Sequence, residues 1–117
     1  MNHLGTEGEN QAAALLTQKG YRILARNFAA PVGEIDIIAR HKDMLVFVEV
    51  KQRTSQEFGG PLAAVTRAKQ LKIARTAAYY IKTNVPKFDK IRFDVICILP
   101  EETTHIEGAF LPPRTTL

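Results

Sequence analysis

"GEIDIIARHKDMLVFVEVKQR", residues 33–53, sets Glu34, Asp36, Glu49 and Lys51 inside two otherwise apolar runs. The alternation predicts two strands, about 34–40 and 44–51, joined by a tight turn at Lys42 and Asp43. A two-residue loop places Asp36 opposite Glu49 and Glu34 opposite Lys51, and a four-residue loop over 41–44 keeps that register. Strand periodicity then puts all four ionisable side chains on one face, with Ile35, Ile37, Val48 and Val50 on the other. Directly opposed Cβ atoms lie roughly 4.5–5.5 Å apart, where like charges repel. Two facing carboxylates therefore need a shared proton or a cation. A hard divalent ion such as Mg²⁺ suits them, with the carbonyl of Val50 as a third ligand. The competing reading is a plain hairpin with one solvated face, which is common in antiparallel sheets. Against it stand the opposition of acid to acid and the apolar setting of Glu49 in "LVFVEV". That setting marks a central strand, where a charge is costly unless compensated.

The rest of the chain frames this hairpin as one domain. At 117 residues, with 45% hydrophobic and 24% charged residues, the sequence is that of a globular chain with one modest core. Thr6 and Glu9 fit a T-x-x-E capping box, and "NQAAALLTQKG" continues as a helix stopped by Gly20. "YRILARNF" reads as a strand and "TSQEFGGP" as a polar loop, whose Gly59 and Gly60 suit either a flap or a simple turn. A second helix is predicted from Thr66 to about Thr83, with Ala68, Leu71, Ala74, Ala78 and Ile81 as its apolar stripe. "KIRFDVICIL" is a further strand, "THIEGAF" a short last one, and 111–117 a loose tail. The order is αβββαβ(β), an α/β fold with a single mixed central sheet flanked by helices.

Other chemistry is sparse. His3, His41 and His105 show no ligand spacing and read as surface residues; Cys97 alternates with Phe93 and Val95 and reads as core. Arg92 and Asp94, two apart on one strand face, read as structural ion-pair partners. No phosphate-binding glycine loop, and hence no nucleotide cofactor, is indicated. A single cysteine, no apolar run of spanning length and no leader-like N-terminus predict a cytoplasmic protein without membrane association.

The motifs "GEIDIIA" and "VEVKQR", with "GENQAAALL" before them and "AKQ" and "RFDV" after, resemble the PD-(D/E)XK nuclease superfamily. That superfamily includes archaeal Holliday-junction resolvases. More narrowly, the chain resembles the YraN-type bacterial endonuclease-like family, over nearly its whole length. Ile35 stands where the superfamily's name has proline. The resemblance implies a restriction-endonuclease-like αβββαβ core, with Asp36 and Glu49 as metal-binding acids and Lys51 as the catalytic lysine. It also implies Glu9 as a helix-borne acid of the same cluster, although the capping box accounts for Glu9 as well. The cofactor so implied is Mg²⁺ or Mn²⁺, and the reaction is phosphodiester hydrolysis in DNA repair or recombination.

A partner signal comes from charge. No acid occurs between Glu57 and Asp89, whereas Arg67, Lys69, Lys72, Arg75, Lys82 and Lys87 lie there, and the net charge is +4. A solvated basic face explains this as well as a phosphate-binding one does, until the acid cluster is placed beside it. Lys69, Gln70, Lys72 and Arg75 are then the expected DNA contacts, with Lys69 and Gln70 nearest the reacting phosphate. Cleavage of both strands of branched DNA would suit a homodimer. Two functions fit: a metal-dependent endonuclease, or a non-catalytic nucleic-acid-binding module that keeps the nuclease fold.

Overall fold

The computed structural model describes residues 3–54 and 65–111, with side chains from Glu7 onward. The Gly59–Gly60 loop and the tail beyond Leu111 lie outside these residues. The elements are α1 (His3–Gln18), β1 (Arg22–Ala30), β2 (Gly33–His41), β3 (Met44–Gln52), α2 (Arg67–Asn84), β4 (Lys90–Ile98) and β5 (Thr103–Phe110). The strands form one mixed sheet in the order β1-β2-β3-β4-β5. Neighbours are antiparallel except β3 and β4, which run parallel. The expected α/β class and single mixed sheet hold, and β5 is a full member of the sheet.

The parallel pair needs a crossover, and α2 supplies it. Each helix covers one sheet face. Ala12 and Leu16 of α1 pack on Ile37, Ala39, Val46, Val48, Ile96 and Ile98. On the other face, Ile73, Ala74, Ala77 and Tyr80 of α2 pack on Ile38, Leu45, Phe47, Phe93 and Val95. Burial on both faces explains why β3 and β4 read as almost unbroken apolar runs. Gly33 lets β2 approach α2 closely, since a Cβ there would stand 2.9 Å from Thr76 Oγ1.

Three sequence expectations are corrected. First, α1 begins at His3, so Thr6 lies within the helix and is not its cap. The C-terminus does end as expected: Gly20 takes φ 93, Tyr21 N–H donates to Leu16 O and Gly20 N–H to Thr17 O. Second, α2 buries Ile73, Ala74, Thr76, Ala77 and Tyr80, a face rotated about a third of a turn from the predicted stripe. Ala68 is exposed, and Leu71, Ala78 and Ile81 are only half-buried.

Third, His41 and His105 are not free surface residues: His41 is half-buried and His105 is enclosed. His41 stacks on Tyr21 with ring centroids 4.3 Å apart. The His105 side chain is 5% exposed, and its Nε2 lies 2.8 Å from Asp94 Oδ2. Lys19 Nζ donates to His105 Nδ1 at 2.6 Å, which leaves the ring proton on Nε2 for Asp94. Arg92 does pair with Asp94 as expected, through two 2.8 Å bonds, and also donates to Tyr21 Oη. Burial alone would raise the Asp94 carboxyl. Hydrogen bonds from His105, Arg92 and the Gly108 N–H outweigh burial and hold it below its ordinary value. Asp94→Ala should therefore strand a buried guanidinium and imidazole and cost about 3–5 kcal/mol. A guanidinium unfolding midpoint unchanged by that substitution would contradict this account.

Candidate metal and phosphate site

The hairpin turn falls where the sequence placed it. His41 pairs with Met44, and the register continues through Ile37 opposite Val48. There the β2–β3 ladder stops, short of Asp36 and Glu49. Strict alternation would put Ile35 and Ile37 on the same face, yet Ile35 packs in the α2 cluster and Ile37 in the α1 cluster. The strand turns over between them, next to a β1 irregularity at Asn27, whose φ is 51. Asp36 sits at this twist. Its Oδ2 accepts a hydrogen bond from the Val50 N–H at 2.8 Å, a backbone donor that a continuing β2 would otherwise engage. The predicted Glu34–Lys51 pairing is not made: Glu34 is exposed, and Lys51 turns to Glu49 instead.

Beside this fork lies Glu49, a carboxylate 5% exposed. Lys51 Nζ lies 3.1 Å from its Oε2 and Lys69 Nζ, from the first turn of α2, 2.9 Å away. Asp36 and Glu49 are also within hydrogen-bonding reach of each other. Burial first, and then the Glu49 charge, push the Asp36 carboxyl up to about 7 against the opposing Val50 N–H. Burial acts on Glu49 in the same sense, but the Lys69 and Asp36 hydrogen bonds and the lysine charges take it below its ordinary value. The pair thus keeps a proton on the Asp36 side near neutrality. Lys69 in turn is held in its charged form by the bond to Glu49.

Other expected site residues sit at different distances from this centre. Glu9 reaches Asp36 through its charge and lines the same cleft as Val50 and Lys51, with its capping role removed by the earlier start of α1. Gln70 donates its amide to the Val65 carbonyl at 3.0 Å and braces the start of α2. Lys72 and Arg75 are exposed on the outer side of α2.

The donor set suits a hard divalent ion. A proton kept between a buried and a partly buried carboxylate marks a place where a cation would relieve repulsion, and a strand residue turns its carbonyl the same way as its N–H. Val50 therefore offers an oxygen toward Asp36. Among the described residues no third His, Cys, Asp or Glu completes a cluster. Asp36, Glu49 and the Val50 carbonyl are the oxygens that could hold a hard divalent ion there.

Fold and site together define a small α/β domain that gathers two carboxylates and two lysines where its central strands part. The family model described as "Uncharacterised protein family UPF0102" matches residues 8–98, and the chain belongs to that family. It is similar to the UPF0102 protein of Lachnoclostridium phytofermentans, 49% identical over 107 residues, covering 91% of each chain. The Dictyoglomus thermophilum relative is 47% identical over 103 residues, 88% of this chain and 87% of its own. The relative from Thermodesulfovibrio yellowstonii is 48% identical over 107 residues, 92% and 95% of the two chains.

A pH prediction follows from Asp36. An acid whose folded value exceeds its unfolded value destabilises the fold once ionised. The effect is absent below about pH 4, grows as pH rises through about 7, and then levels off. Metal-free protein should lose stability across that window, by a few kcal/mol at most. Asp36→Asn should flatten the loss and exceed wild-type stability on the alkaline side. Denaturation midpoints for both proteins across that range provide the check, and parallel pH profiles would contradict the assignment.

Proposed function

We propose that this protein is a divalent-metal-dependent endonuclease-like domain of the PD-(D/E)XK type that binds DNA and hydrolyses phosphodiester bonds. The observation that carries the reading is the acid pair Asp36–Glu49 at a strand fork, with two lysine ammoniums on its rim. Asp36, Glu49 and the Val50 carbonyl would hold Mg²⁺ or Mn²⁺. Such an ion, when bound, makes a coordinated water more acidic and neutralises charge on the phosphate.

The protein's own groups supply the rest. Lys51, on the same strand as Glu49 and only partly exposed, can exchange its carboxylate contact for a non-bridging phosphate oxygen as charge develops there. Lys69, more exposed, can do the same from the helix side. Glu9 adds a further negative charge across the cleft that helps keep a cation at Asp36. Lys72 and Arg75 continue the positive surface along α2, where backbone phosphates can run.

A second reading has an observation of its own. Lys51 and Lys69 already neutralise Glu49, so the site is charge-balanced without a metal. A non-catalytic nucleic-acid-binding module would also use such a lysine-rich centre.

Metal affinity and cleavage separate the two. Asp36→Asn should lose divalent-ion binding by calorimetry together with cleavage of linear, flapped and four-way DNA. Lys51→Ala should retain the ion while turnover falls ~10²–10³-fold. Metal binding without cleavage of any of those substrates would favour the binding module; no metal binding by wild type would defeat the catalytic reading. For the DNA surface, replacing Lys72 and Arg75 together should weaken binding and reduce the magnitude of the log–log salt slope by about 1.8. A double variant that binds as wild type does would leave that helix face without a DNA role.

A further inference from the structure

We infer that the cleft beside the acid pair is a subsite for one unpaired nucleoside of a DNA strand, adjacent to the phosphate held at Lys51. The inference rests on the nucleic-acid-binding reading above and narrows its substrate class to DNA with an unpaired nucleotide at the reacting position. The cleft has a volume of about 710 Å³ and opens where β3 and β4 end. That lies within the ~300–1,000 Å³ range of sites that enclose small organic ligands. It shares Val50 and Lys51 with the acid site, and Glu9 stands in its wall. A phosphate at Lys51 therefore has its neighbouring nucleoside at the cleft on one side and the basic face of α2 on the other.

The lining matches the chemistry of a base. Val50, Ile98 and Pro100 give an apolar surface for a ring face. Gln11, Gln52 and Thr54 bring amide and hydroxyl groups that can read ring-edge donors and acceptors. Arg53 adds a planar guanidinium of the kind that stacks on unpaired bases. Two of these residues are tethered. The Arg53 N–H donates to Ile98 O at 2.9 Å, its Nη1 to Gln52 O at 3.2 Å, and Gln11 Nε2 to Thr103 Oγ1 at 3.0 Å. Buried Gly8 makes room for the Gln52 amide, since a Cβ there would stand 2.8 Å from Gln52 Oε1. A paired base would have to leave its stack and break its pairing to enter, which costs free energy. A base at a branch, flap or single-stranded end enters without that cost.

Fluorescent oligonucleotides test this without requiring cleavage. 2-Aminopurine is placed at successive positions of flapped and fully paired DNA, in metal-free buffer with chelator. Among the described residues the lining holds no aromatic ring, so a base that leaves the stack for the cleft should brighten. Brightening is expected at one position only, in the unpaired arm. An abasic site at that position should weaken binding about tenfold, and abasic sites elsewhere should have little effect. Thr54→Trp, at an exposed position, should quench and crowd the base; Gln52→Ala, also exposed, should lower affinity for the intact arm towards that for the abasic one. Salt-sensitive DNA binding with no position-specific signal would overturn the subsite while leaving the DNA-binding reading in place. No DNA binding at all would overturn both. Displacement of the oligonucleotide by equimolar free nucleoside monophosphate would assign the cleft to a soluble nucleotide and overturn the DNA subsite.

Discussion

The hydrogen bond from the Val50 N–H to the Asp36 carboxylate is the constraint around which this site is built. Two paired strands that separate inside a sheet leave backbone groups without partners, and an unpaired buried N–H is costly. Asp36 closes the fork with its side chain where a ladder bond would otherwise continue. That use of the carboxylate places an acid beside Glu49, in a region otherwise filled by aliphatic residues. The repulsion between the two acids is then offset by a retained proton and by Lys51 and Lys69. The distortion that ends the ladder and the concentration of charge have one origin.

Much of this was legible in residues 33–53. The turn at Lys42–Asp43 and the period-two pattern fixed the register, and with it the closeness of Asp36 and Glu49. The twist at Asp36 was not legible, because alternation assumes an uninterrupted ladder; Ile35 consequently faces the opposite side from Ile37. The buried face of α2 was misplaced for a different reason. Thr76 looks polar in sequence, but its hydroxyl donates to Lys72 O, so the residue packs as an apolar one. Ala68 and Ala78 look apolar yet are too small to demand burial.

Long-range charge was least visible. His105 owes its burial to Asp94 on a neighbouring strand and to Lys19 at the end of α1, 86 residues away in the chain. No local spacing records such a meeting. Lys69 occupies an intermediate case. Its acid-free surroundings suggested phosphate contact, but its closeness to Glu49 depends on how α2 docks across the sheet.

The outer strands carry a different implication. β1 has a register shift between Ile23 and Ala25 and a left-handed Asn27, while β5 faces a shift between Phe93 and Val95 and bends at Gly108, whose φ is 62. A straight, regular border would offer a row of backbone groups to another chain and invite ribbon-like aggregation. Bulged borders offer no such continuous template. Concentrated protein is thereby guarded against strand-by-strand growth.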